Sequence, residues 1–413
     1  MTATALLAVS IGAGAQVAWA QDRDFEALVE EALGRNAPEG APTGEAPSAV
    51  PPRIGVQPAP APLGQPEPAV PAQPAEALPS PPAVAAEALD ASEAGAAEPA
   101  TPANSGERTL AQLTVEEVNA ASFVEHAETV HGASPLVLKA QILLDRAGAS
   151  PGVIDAYYGG NVAKAIAAVE TVLAMQVDGR LDQQVWAALG GDQAAPVLVP
   201  YTITEEDAAY PFLPAIPQDY SEQAELPGLY YTSPEERFGE IFHMDTDLLK
   251  ALNPNVDLRQ PGNTIIVAAI EGQPVSGKIS RIEADKARRQ VRAYDAQHRL
   301  IVAYPATIGS ADNPSPSGVH EVEGVAPNPV YYYNPENFVQ GDNREKLELP
   351  PGPNNPVGTM WIDLSKPSYG IHGTPEPSKI DKTGSHGCVR LTNWDAEELA
   401  TLVEPGVVVE FTE

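Results

Sequence analysis

The chain has 413 residues, 24 of them basic and 56 acidic, for a net charge of −32. That balance excludes the basic patches that nucleic-acid binding and docking on an anionic membrane call for, and it implies solubility and self-repulsion. Cys388 is the only cysteine, so no disulfide can form within the chain.

The first twenty residues, MTATALLAVSIGAGAQVAWA, form a short apolar stretch ending in Ala18-Trp19-Ala20, ahead of polar Gln21 and Asp22. Such a stretch before an A-x-A site reads as a secretory signal removed on export, and it is too short for a stable spanning helix. The mature protein is therefore expected in the periplasm and not as an integral membrane protein. In an oxidising space an unpaired cysteine points to intermolecular pairing or a reactive thiol, with a buried small hydrophobe as the alternative.

Residues 21–108 are expected to be mostly a linker. From Pro38 to Pro102 the chain holds 17 of its 43 prolines, no Phe, Tyr or Trp, and Arg53 as its one basic residue. Such a segment cannot bury enough apolar area to offset the entropy of ordering, so disorder is predicted. At ~3.1 Å per residue it would reach on the order of 200 Å, a tether suited to work across a polymeric matrix.

A helical domain is expected over 109–193. Ser134-Pro135 is a cap followed by proline at the first helical position, and Leu136, Ala140, Leu143 and Leu144 recur at helical spacing. A second run covers Val162 to Met175, and VDGRLDQQVWAAL starts a third helix. With the glycine-flanked turn from Gly152 to Gly159 and the Asp178, Gly179, Trp186 finish, the stretch from Ser134 to Leu189 resembles the three-helix peptidoglycan-binding domain.

Residues 200–270 carry a helix with Phe238 and Phe242 and a second with Leu248, Leu249 and Leu252. Asn253-Pro254 and a closing P-G-x-x-I-x-V strand follow. This region resembles a LysM module whose first strand lies near Tyr201-Thr202-Ile203. An insertion from Glu205 to Leu229 departs from the family pattern, leaving sugar binding and a structural spacer both open.

From 277 to 413 the character is β. KISRIEA (278–284), RQVRAYD (289–295) and RLIVAYP (299–305) alternate in period two, and TMWIDL and GVVVEF continue the pattern. One helix is expected after Asn393 as N-cap, with acids in its first turn. Trp361 and Trp394 read as core, while Tyr331-Tyr332-Tyr333 fits either a substrate groove or a half-buried strand end. The fold class is thus multidomain α+β, with a mostly-β domain at the C-terminal end.

The chemistry concentrates in Tyr369-Gly370-Ile371-His372-Gly373-Thr374 and Ser385-His386-Gly387-Cys388-Val389-Arg390. A thiol becomes a nucleophile when it ionises, and a nearby imidazole both takes its proton and stabilises the thiolate. Gly387 lets the backbone turn sharply before Cys388, so that successive N–H groups can point at a developing oxyanion. Arg390, two residues on, projects from the same strand face and offers a fork for a carboxylate. His386 fits a structural hydrogen-bonder better than an acid–base group. Cys388, His372 and His386 lack the usual spacing of zinc ligands, so neither metal nor cofactor is expected.

The H-G-T … S-H-G-C-h-R-h pattern over residues 278–411 resembles the L,D-transpeptidase (YkuD) catalytic domain. Asn313–Gly318 sits where that family has T-P-x-G, and PPGPNNPVG (350–358) where it has P-G-x-x-N-P-L-G. The resemblance implies a cysteine that attacks the diaminopimelate carbonyl of a peptidoglycan tetrapeptide stem and expels D-alanine. The thioester then passes to the side-chain amine of another stem, giving a 3→3 link. By position, Cys388 is the nucleophile and His372 the base. Arg390 binds the donor carboxylate, Ser385, His386 and Gly387 shape the site, and the Gly373 carbonyl orients the imidazole. A monomer is expected. The alternatives are the same fold attaching a protein to peptidoglycan or hydrolysing such links, and a non-catalytic wall-binding scaffold.

Overall fold

The computed structural model describes residues 107–413 apart from 273, 274, 276, 311–313, 336–344 and 386. The expected signal, most of the expected linker, Asn313 and His386 lie outside the described residues.

A short helix α1 (Val115–Asn119) opens the helical region. Helix α2 (Pro135–Arg146) starts where Ser134 Oγ accepts the Val137 N–H at 3.3 Å, with Pro135 in the first turn. Helices α3 (Gly160–Val172) and α4 (Gln183–Ala188) follow, the latter capped by the Asp182 carboxylate. Next, β1 (Leu198–Thr202) pairs antiparallel with β2 (Thr264–Ala268). Between them come α5 (Glu205–Ala209) and α6 (Tyr220–Gln223) from the insertion, then α7 (Pro234–Ile241) and α8 (Thr246–Leu252). The strand–helix–helix–strand order read from residues 200–270 is present, with the insertion as two extra helical turns. Among the described residues no helix is long and apolar enough to cross a membrane.

These upstream parts share one apolar core. Leu138, Ile142 and Trp186 join Leu198, Phe238, Leu248 and Val267, and also Leu300 and Ala303 of the β domain, in one cluster of buried side chains. Each large member contributes about 1.5–3 kcal/mol, so the three regions hold one another in place. Polar contacts follow the same seam. Lys164 pairs with Asp381 at 2.6 Å, and His243 Nδ1 meets both Asp145 carboxylate oxygens at 3.2 Å.

The β domain is a nine-stranded sheet of β3 (Arg281–Asp285), β4 (Gln290–Tyr294), β5 (Leu300–Pro305), β6 (Thr307–Ile308), β7 (Gly318–Pro327), β10 (Met360–Leu364), β11 (Gly370–His372), β12 (Val389–Arg390) and β13 (Val408–Thr412). A separate hairpin pairs β8 (Tyr331–Tyr333) with β9 (Leu347–Leu349). The strand order is β5-β4-β3-β13-β7-β10-β11-β12-β6. Since only Ala306 separates β5 from β6, the sheet must curl until its two ends meet there. The ten-residue β7 forms the bend, pairing with β13 through its first half and with β10 through its second. Residues 148–150 cap the outer edge of β5: Ala303 N donates to Gly148 O at 3.0 Å and Ser150 N to Ala303 O at 2.9 Å. An open strand edge is covered in this way.

Helix α9 (Asn393–Leu402) buries Ala396 and Leu399 against Ile362, Ile371 and Val389. Its cap differs from the sequence expectation. Thr392 is the N-cap, its Oγ1 accepting the Asp395 N–H at 3.2 Å. Asn393 is instead the first helical residue, because its side chain is used elsewhere: Oδ1 accepts from Thr359 N and Nδ2 donates to Pro353 O.

Beside the cap, Asp395 is 2% exposed and its Oδ2 has no hydrogen-bond partner. Burial first, then the neighbouring Asp145 charge, push its pKa up to about 7. A carboxyl raised in the folded state contributes stability that is full below its unfolded value near 4 and is lost as pH climbs through 7. Asp395→Asn is therefore expected to gain melting temperature over wild type as pH rises from 5 to 8. The differential can reach roughly 1.4 kcal/mol per pH unit. Parallel melting curves at both pH values would refute this.

Candidate active site

The site is assembled by two short parallel strands. β11 and β12 pair with Ile371 opposite Val389 and His372 opposite Arg390. Alternation sends Ile371 and Val389, both fully buried, into the core. His372 and Arg390 therefore share the opposite face, and Cys388, two residues before Arg390, falls on that face too. Continuing the register by one residue sets Cys388 beside Gly370, and its thiol donates to Ser368 O at 3.8 Å. Adjacent strands lie about 4.8 Å apart and two residues span about 6.6 Å. The thiol, the imidazole and the guanidinium thus lie within side-chain reach of one another.

Two glycines make this arrangement possible. Gly387 has φ +104°, and a Cβ there would lie 2.9 Å from the Tyr369 ring. A side chain would be disfavoured both by the backbone angle and by the contact. Gly370 faces the indole of Trp361, which a Cβ would approach to 2.5 Å. Trp361 was expected in the core and is 4% exposed, but it also stacks on His372 at 5.5 Å between ring centres and 16° between planes. Its place across from His372 in the β10–β11 pair is what brings the rings together. Period two in TMWIDL signals the face of Trp361; its partner comes only from strand pairing.

The imidazole is fixed by one hydrogen bond. His372 Nδ1 lies 2.7 Å from Gly373 O. A carbonyl only accepts, so Nδ1 carries the hydrogen and Nε2 is left as the acceptor. The ring is 4% exposed. Burial and the Arg390 charge pull its pKa down to about 3, against the Gly373 hydrogen bond. Burial pushes the largely buried Cys388 thiol up, opposed by the Gly370 backbone and Arg390. The resting pair is therefore a neutral thiol and a neutral imidazole. Burial disfavours the charged form of each group, so the proton transfer from thiol to imidazole belongs to the attack itself.

Ser385 supports the nucleophile's loop. Its Oγ donates to Cys388 O at 2.6 Å and accepts the Gly387 N–H at 3.3 Å. The Gly387 N–H is thus engaged by the Ser385 hydroxyl. Because Ser385 is 3% exposed, Ser385→Ala strands two buried backbone groups. We expect a loss of roughly 1–3 kcal/mol in stability. Cys388 acylation should slow about 10²-fold, as misplacement by an ångström does. Wild-type rates in the alanine variant would refute the role. Arg390 Nη1 donates to Gly384 O at 3.4 Å, and among the described residues no carboxylate pairs with it. Its remaining donors suit an incoming anion.

The L,D-transpeptidase catalytic domain (YkuD) family model matches residues 279–410, and the peptidoglycan-binding domain model (PG_binding_1) matches residues 133–189. The chain is 30% identical over 189 residues to a protein of Bacillus licheniformis named L,D-transpeptidase YkuD, covering 45% of this chain and 98% of that one. Its counterpart in Bacillus subtilis is 29% identical over 168 residues, 41% of this chain and 87% of the relative. Among solved structures, an L,D-transpeptidase from Mycobacterium smegmatis aligns at 16% identity and a TM-score of 0.28. That alignment covers 37% of this chain and 64% of the mycobacterial one. The chain belongs to the L,D-transpeptidase family, an enzyme with a YkuD catalytic domain preceded by a peptidoglycan-binding domain.

Proposed function

We propose that this enzyme is exported to the periplasm and forms 3→3 cross-links in peptidoglycan through a thioester on Cys388. The observation that carries the reading is the shared face of Cys388, His372 and Arg390, with the imidazole's acceptor nitrogen set free by the Gly373 carbonyl. As the sulfur attacks the diaminopimelate carbonyl of a tetrapeptide stem, Nε2 takes the thiol proton. The C–N bond to the terminal D-alanine breaks, and the proton passes to the leaving amine. The side-chain amine of a second stem then attacks the thioester, giving the new amide and restoring the thiol. Outside the cytoplasm there is no ATP, and the thioester conserves the energy of the amide that was broken. Arg390 holds the donor's terminal carboxylate by a charge-assisted fork.

In this reading the peptidoglycan-binding domain keeps the enzyme on its polymer, and the LysM-like βααβ module adds glycan contact. The shared apolar core argues that both move as one body with the catalytic sheet. The test is mass spectrometry of muropeptides after incubation with disaccharide-tetrapeptides. A dimer lighter than two monomers by one D-alanine is expected. Tripeptide monomers without dimer would sink the cross-linking reading and identify hydrolysis.

A further inference from the structure

Asn393 opens α9, yet its buried amide bonds a loop and not its own helix. Oδ1 accepts the Thr359 N–H at 3.2 Å, and Nδ2 donates to Pro353 O at 3.3 Å. The same oxygen lies against two glycines. A Cβ on Gly373 would come 2.2 Å from Asn393 Oδ1, and one on Gly358 would come 2.0 Å from it. Gly358 in turn backs onto the Gly373–Thr374 peptide, where its Cβ would lie 2.6 Å from Gly373 C and 2.7 Å from Thr374 N. That peptide carries the oxygen lying 2.7 Å from His372 Nδ1.

The loop is also held at its far end. Leu229 N donates to Pro351 O and Asn354 N to Leu229 O, both at 2.9 Å. Asn354 Nδ2 donates to Tyr230 O at 3.0 Å and to Glu236 Oε1 at 2.6 Å. Within the turn, Asn355 Nδ2 donates to Pro350 O at 2.9 Å, and its Oδ1 accepts the Val357 N–H at 3.0 Å. Residues 350–358 are thus a bonded turn tied to the upstream βααβ module. A turn with such anchors does not drift to make up for a lost contact at Asn393.

We propose that Asn393 is a positioning residue for the catalytic imidazole. Its amide wedges the 353–359 loop against the Gly373–Thr374 peptide and so fixes the oxygen that holds His372 in its Nδ1–H form. This rests on the role given above to His372. A peptide unit is planar, so fencing Gly373 Cα from one side and Gly373 C and Thr374 N from another sets where Gly373 O points. Without the amide a gap opens beside both glycines and the peptide can tilt. The hydrogen bond then weakens steeply as it bends. The ring now shares its hydrogen between both nitrogens, and with the hydrogen on Nε2 it cannot take the Cys388 proton.

The experiment compares wild type, Asn393→Ala and Asn393→Ser, all as the full chain, by two readouts. One is the NMR spectrum of the His372 ring nitrogens at neutral pH, picked out from the seven histidines as the signals lost in His372→Gln. The other is the rate of carbapenem acylation of Cys388 as a function of carbapenem concentration. Wild type is expected as the Nδ1–H form alone, and Asn393→Ala as a mixture of both forms. The saturating acylation rate of Asn393→Ala should fall about 10²-fold, as an ångström's misplacement costs, with the half-saturating concentration nearly unchanged. Asn393→Ser keeps a hydroxyl for one of the two loop groups. It should show the same changes at smaller size, and it decides if Asn393→Ala does not fold. Folded variants that keep the wild-type ring signals overturn the inference, because a purely structural residue changes stability and leaves the tautomer alone. A loss confined to the half-saturating concentration overturns it too. A wild type that takes no carbapenem adduct overturns the proposed function, and the ring signals then still judge the hold of Asn393 on His372.

Discussion

Replacing Cys388 by alanine is expected to leave the fold intact and to remove both carbapenem acylation and transpeptidation. The chain has no other cysteine, so an adduct on intact wild-type protein has one thiol to occupy. Loss of turnover should be on the order of 10⁵–10⁶-fold, the scale of deleting a covalent nucleophile. Stability should hardly change. Cys388 lies outside the buried apolar cluster, and the neighbouring core contact is made by Val389, which stays. Cys388→Ser is the sharper variant. A hydroxyl is a far weaker acid than a thiol, and an imidazole with a pKa near 3 is a weak base for it. Serine should therefore bring back less than about 10⁻³ of wild-type acylation. An undiminished adduct in Cys388→Ala, or no adduct on folded wild type, would count decisively against the thioester.

Much of the catalytic strip was legible because its signals are local. Period two puts Cys388 and Arg390 on one face, and the burial of Val389 between them bears this out. Ser134-Pro135 marks the start of α2 to the residue. Signals failed where a distant partner decides. Thr392 and Asn393 are both good caps by propensity. Asn393 lost the position because the 353–359 loop takes its side chain. Ser385 looked like a generic site-shaping residue, and only the folded turn shows its hydroxyl bridging Gly387 and Cys388. Trp361 reads as core from hydropathy, but its partner across β10–β11 is the imidazole. Composition shifts suggest three regions along the chain. They could not show that Leu300 and Ala303 complete a core begun by α2, since contacts across more than a hundred residues leave no local pattern.

Protonation was the least legible property of all, and it yields the second large prediction. The sequence carries no sign of burial at His372, and an imidazole open to water would titrate near its ordinary value of about 6.5. Here burial and the Arg390 charge hold His372 neutral down to a pKa of about 3. The base works only when unprotonated, so activity is lost as pH falls through that pKa, and a depressed value moves the loss downward. Carbapenem acylation should therefore stay flat from pH 5 to 8, with no inflection near 6.5. A tenfold fall per unit below 6.5 would mean that the imidazole titrates as if exposed. His372→Gln should cut acylation by ~10²–10⁴, the usual worth of a positioned base. What remains in that variant should depend on hydroxide, rising with pH toward the raised thiol pKa. Wild type is expected to be flat over the same range, so the slope separates a lost proton acceptor from a merely disturbed loop. A disturbed loop would lower the rate equally at every pH.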